Sequence, residues 1–171
     1  MSDQGDRRVL LQNQLDIMWR FAEQFVLDDV TDELALWEPS MNVCTVRQAD
    51  GRWMADWPDE DNPPLPDVTI GWLLWHIEWW WTDTISRVEG DGPISPEEHV
   101  WSGGTAGVAA AKRRWDQVLA APDLDLDRAV SWLLPEPQPL WRVAAWVNVE
   151  FTKNLAEINQ LIGRHANSTP V

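Results

Sequence analysis

Apolar residues recur at steps of three and four in four stretches of the chain, which is the period of a helix with one buried face. In residues 7–29 the stripe is Leu11, Leu15, Met18, Ala22 and Phe25. Residues 67–90 hold an almost unbroken apolar run, with Asp67 after Pro66 as N-cap and Gly90 as the stop. Residues 104–120 place Val108, Ala111, Trp115, Val118 and Leu119 on one side, and Pro122 ends that helix. The last stretch, 139–163, carries Leu140, Val143, Val147, Glu150, Asn154, Ile158 and Leu161. Between the first two helices, residues 31–66 are broken by Pro39, Pro58, Pro63, Pro64 and Pro66 and read as non-helical. Asp50-Gly51 between Cys44–Arg47 and Trp53–Asp56 signals a short β-hairpin there. Ser95-Pro96-Glu97-Glu98 reads as a short helical piece, residues 122–138 as an acidic connection, and Asn167–Val171 as a frayed tail.

Four helices, two of them reached by long connections, predict an all-α four-helix bundle with a short β-hairpin in the first connection. The 171 residues fit a single domain, 1–171, with its core at about 8–163. The long connections allow sequential helices to run parallel.

Composition narrows the partners. The net charge is −15, which repels phosphate backbones and anionic membranes, so neither nucleic acid nor membrane is expected as a partner. Cys44 is the single cysteine, so no internal disulfide and no cysteine-based zinc site is possible. The N-terminal residues Met1–Arg8 lack an apolar stretch like that of a signal peptide, and no run approaches membrane-spanning length; a cytoplasmic location is the expectation. With 14 Trp, 3 Phe and no Tyr, tryptophan supplies nearly all the aromatic packing.

Candidate chemistry sits on two helices. Trp72, Trp75, Trp79, Trp80 and Trp81 surround His76 and Glu78 on the second, and an indole N–H needs a partner when buried. On the fourth, Glu150 and Asn154 interrupt the apolar stripe at i, i+4, where unpaired polar groups are costly. They form either a hydrogen-bonded cluster that fixes bundle register or, with His76, a ligand or metal site between facing helices. His99 and His165 read as solvated surface residues. The acids Glu89, Asp91, Glu97 and Glu98 read as a solvated rim, and Asp123–Asp127 lacks the glycine and terminal Glu of an EF-hand loop.

Several segments together resemble the DinB-like superfamily of small four-helix proteins. They are Ile70-Gly71-Trp72-Leu73-Leu74-Trp75-His76-Ile77, Trp101-Ser102-Gly103-Gly104-Thr105, Ala145-Trp146-Val147-Asn148-Val149-Glu150 and Lys153-Asn154-Leu155-Ala156-Glu157-Ile158. The resemblance spans roughly residues 8–163. It implies an up-down-down-up bundle, commonly homodimeric, with a divalent metal, zinc or nickel, held by one histidine on the second helix and two on the last. It further implies kinship with transferases or isomerases that use a low-molecular-weight thiol such as mycothiol or bacillithiol. His76 matches the second-helix histidine. Glu150 and Asn154 stand where the two last-helix histidines are expected. His-Glu-Asn is a poor zinc set, because an amide oxygen is a weak neutral ligand.

Three readings follow. The first is a thiol-dependent, mycothiol-type transferase or isomerase with a degenerate metal site of His76, Glu150 and Asn154, in which His76 and Glu150 are the catalytic candidates. The second is a metal-free protein whose pocket is lined by Trp72, Trp75, Trp79 and Trp80, with His76, Glu150 and Asn154 orienting a small molecule. The third is a structural, stress-related homodimer whose polar cluster only fixes packing. Replacing Glu150 and Asn154 by histidine is expected to raise metal affinity.

Overall fold

The computed structural model describes residues 3–59, 61, 63–132 and 134–168. In chain order its elements are α1 (Asp3–Phe25), a 3-10 turn (Leu27–Asp29), α2 (Asp32–Ala35), β1 (Val43–Cys44), β2 (Val46–Ala49), β3 (Arg52–Ala55), β4 (Asp67–Val68), α3 (Ile70–Glu89), α4 (Gly104–Ala120), β5 (Ala129–Val130), β6 (Gln138–Pro139) and α5 (Leu140–Ser168).

Four long helices pack into one bundle, and cross-helix contacts fix their directions. Asn148 Nδ2 donates to the Leu11 carbonyl at 3.0 Å and Trp19 stacks on Phe151, so α1 and α5 run parallel. His76 meets Asn154 while Trp81 packs on Phe151, so α3 runs against α5. Lys112 reaches Asp16, and Arg8 donates to the carbonyls of Leu119 and Ala121, which sets α4 against α1. Glu78 meets Ser102, and Glu89 meets Arg114 further on, so α3 and α4 are parallel. The order is up-down-down-up, as the long connections allow.

The core is centred on α3, where all five of its tryptophans are buried. Trp75, Trp81 and Trp115 are among the largest fully buried side chains. Each removes ~200 Å² from water, worth ~5 kcal/mol before conformational entropy is counted. The β2–β3 hairpin turns at Asp50 and Gly51, both with positive φ (50° and 76°), a type I′ pattern suited to Asp-Gly.

Several expectations need correction. α1 starts at Asp3 and ends at Phe25, which is half exposed rather than part of the buried stripe. Residues 31–66 do contain one helical turn, α2, capped by the Thr31 hydroxyl. Asp67 does not cap α3; it pairs with Val43 in a parallel β1–β4 ladder, and Thr69 Oγ1 caps the helix by accepting from Trp72 N. Ser95–Glu98 is a single turn closed by Glu98 Oε2 on Ser95 N, with no helix beyond it. α5 runs through Gly163 and His165 to Ser168, because Arg164 pairs with Asp67 and the His165 ring packs edge-on against Trp37. Of the expected frayed tail, Asn167 and Ser168 are helical and 169–171 lie outside the described residues.

Candidate ligand-binding site

α3 sets His76 against α5 because it presents a nearly continuous apolar surface whose polar atoms must pair internally. Trp72 stacks on the imidazole at 4.7 Å between centroids. One turn later, Trp80 Nε1–H donates to His76 Nε2 at 2.8 Å. Trp80 is itself wedged against Trp132 and Trp146. Asn154, 1% exposed, faces the other ring nitrogen, with Nδ2 3.3 Å from His76 Nδ1.

The protons follow from these contacts. Burial first, and then the Lys153 ammonium nearby, hold the imidazole neutral, with a pKa lowered to about 3. A neutral ring carries one proton. Nε2 accepts from the indole, so the proton sits on Nδ1. Nδ1–H then needs an acceptor, which is the Asn154 carbonyl. With the amide nitrogen toward the ring, Asn154 Oδ1 is left buried without a partner; with the amide turned end for end, Oδ1 accepts from Nδ1–H.

The other sequence candidates divide around this centre. Glu150, at the edge of the α5 stripe, pairs with Lys153 Nζ at 2.9 Å. Trp72 Nε1 donates to the Asp56 carbonyl and Trp79 Nε1 to that of Ile94, so these rings are pinned as walls. Beside His76 and Trp72 lies a cavity of about 400 Å³, whose lining includes Asp67, Lys153, Glu157 and Arg164. Burial raises the Glu157 carboxyl pKa, and Lys153 opposes that shift. Lys153, Glu157 and Arg164 were not singled out from the sequence. Their signal was present in the step from Lys153 to Glu157, which places both on one face of α5.

The residues do not fit a metal. A ligating imidazole must offer a lone pair, and both ring nitrogens of His76 are engaged. The Glu150 carboxylate is already neutralised by Lys153, whose ammonium also repels a second cation. Among the described residues no three His, Cys, Asp or Glu side chains are grouped to hold a metal ion.

A second buried polar group lies between α3 and α4. His99 is 6% exposed, which corrects the expectation of a surface residue; Trp75 and Glu78 cover it. Its Nε2 is 3.7 Å from Glu78 Oε1 and makes no hydrogen bond. Ser102 Oγ donates to Glu78 Oε2 at 3.2 Å. Gly107 makes room for this carboxylate: a Cβ there would stand 1.9 Å from Glu78 Oε2 and 2.0 Å from Ser102 Oγ. Burial raises the Glu78 pKa and lowers that of His99 to about 4. Cys44 is buried, which raises its thiol pKa, so it is no ready nucleophile.

No helix among the described residues is long and apolar enough to cross a membrane. The sequence model of the DinB superfamily matches residues 14–158. Comparison with curated proteins and with solved structures gives no match.

Proposed function

From the premise that the chain belongs to the DinB superfamily, we propose that it is a metal-free member that binds a small molecule in the cavity beside His76. The observation that carries this reading is the hydrogen bond from Trp80 Nε1 to His76 Nε2. It occupies the lone pair that a metal would need, so the thiol-transferase reading loses its means of activating a thiol. The cavity lining carries two cations, Lys153 and Arg164, and two carboxylates, Asp67 and Glu157, of which Asp67 pairs with Arg164, with the Trp72 ring as an apolar wall. That pattern suits a small zwitterion, its anionic end toward Lys153 and Arg164 and its cationic end toward Glu157.

Calorimetric titration with small zwitterions, amines and carboxylates, all in the presence of a chelator, tests this reading. Zwitterions bind best, and Lys153→Gln lowers their affinity about tenfold, the loss of one charge-assisted hydrogen bond. Binding that disappears with the chelator would contradict it.

A homodimer is supported by the exposed face of α1. Leu10, Gln14, Ile17, Phe21 and Phe25 make a stripe without a charge, beside the exposed Val149 of α5. On a chain of net charge −15, such a stripe lets two copies meet without repulsion, and one patch facing itself makes a closed pair. Light scattering reads two chains for the wild type and one for Ile17→Lys with Phe21→Lys.

A further inference from the structure

We propose that the cavity beneath the β2–β3 hairpin is a second binding site, built for a small organic ammonium ion. The cavity holds about 290 Å³, enough for a ring with a short side chain and at the low end of ligand pockets. Trp53 and Trp57 line it from the hairpin side, Asp50 and Glu97 add carboxylates, and His99 belongs to the same lining. Trp57 is held by edge contacts to Trp75 and Trp79, and Trp53 by one to Trp101, so the two rings form fixed walls.

The chemistry of the occupant follows from His99. Its ring is buried and neutral, and a neutral imidazole offers one acceptor. The Glu78 carboxylate, 3.7 Å from Nε2, favours the proton on that nitrogen. The remaining lone pair is then on Nδ1, to which no hydrogen bond is made among the described residues, so an occupant that donates is favoured. Two carboxylates and two indole rings favour a donor with positive charge, since a cation is attracted to an indole face. Arg52 is the one opposing charge among the lining residues; it is exposed, as Asp50 and Glu97 are, so all three are screened alike and the balance left is two carboxylates to one guanidinium. Glu78 lies beneath as a positioning residue, held by Ser102 and by the space at Gly107.

The test compares three probes of one shape, phenethylammonium, phenethyl alcohol and phenylacetate, by calorimetry at pH 7.5 and low salt. Phenethylammonium binds about tenfold tighter than the alcohol, and phenylacetate binds weakest. His99→Phe lowers ammonium affinity about tenfold, while His99→Gln, which keeps an acceptor, loses less. Arg52→Gln strengthens ammonium binding. Thermal melts show which variants are folded, and Trp57→Ala, at a half-exposed position, gives an independent loss if His99→Phe does not fold. Equal affinity for all three probes, preference for phenylacetate, or full affinity in folded His99→Phe would overturn the proposal. So would loss of ammonium binding in Lys153→Gln, which would move the ligand to the cavity beside His76.

Discussion

Two buried histidines on opposite sides of α3 differ in one respect that decides their use. His76 has a partner at each ring nitrogen, Trp80 on one side and Asn154 on the other. His99 has a carboxylate 3.7 Å from Nε2 and no hydrogen bond. A saturated buried imidazole is a packing element that holds α3 to α5. An unsaturated one beside a cavity keeps capacity for a ligand. Burial alone would have ranked the two alike.

The largest effect expected is from removing His76. His76→Leu leaves the Trp80 N–H and the Asn154 amide buried without partners, at roughly 1–3 kcal/mol each, so a loss of about 3 kcal/mol is expected. In a domain of this size that lowers Tm by about 10 °C, read by calorimetry. His99→Leu, which orphans no hydrogen bond, should cost clearly less. Equal losses would break the contrast.

Acid comes next. His76 is lowered to about 3 in the folded chain, against an ordinary value near 6.5. The unfolded chain therefore takes up a proton as pH falls below about 6.5 while the folded chain does not, and stability drops toward pH 3. At pH 5 the His76 share of the loss is about 2 kcal/mol, from 1.36 kcal/mol per unit, and His99, lowered to about 4, adds a loss of the same sign that His76→Gln leaves in place. Glu78, whose carboxyl is raised by burial, works in the opposite sense, since the folded chain protonates it first as pH falls. Urea melts across pH 5–8 of the wild type and of His76→Gln separate the two, with the variant showing the flatter profile.

A smaller effect is expected at Gly107. Gly107→Ala forces Glu78 and Ser102 aside and costs about 1–2 kcal/mol by overpacking. Glu78→Gln leaves that clash whole, while Glu78→Ala removes the Glu78 part of it and leaves Ser102 Oγ, so a double-mutant cycle gives partial coupling with Ala and little with Gln. Additive losses for Gly107→Ala and Glu78→Ala would show that the carboxylate does not rest on the glycine.

The bundle was legible in the sequence wherever a local signal coincided with packing. Residues 104–120 carry a clean 3.6 period between a glycine pair and Pro122, and α4 occupies that range. Asp50-Gly51 demands the left-handed turn that forms the hairpin. Signals failed where distant contacts decided. Asp67 looks like an N-cap, but a ladder to Val43 claims its backbone. Gly163 looks like a stop, but Arg164 and His165 find partners that carry α5 onward. His99 has no periodicity to place it, because its cover comes from α3 across the fold. The convergence of His76 with Asn154 could be read from the stripe on α5. That His76 is engaged could have been read from Trp80, four residues along the same helix, but spacing alone does not say which indole N–H finds which partner.

The central claim, that both nitrogens of His76 are engaged and closed to metal, is tested most directly by the imidazole ¹⁵N resonances. The predicted result is a neutral ring with the proton on Nδ1 from pH 5 to 8, unchanged by one equivalent of zinc. The variant with Glu150→His and Asn154→His should still show His76 Nε2 unliganded, and the further change Trp80→Phe should allow zinc to shift it. A zinc-induced shift at His76 Nε2 in the wild-type protein would contradict the account.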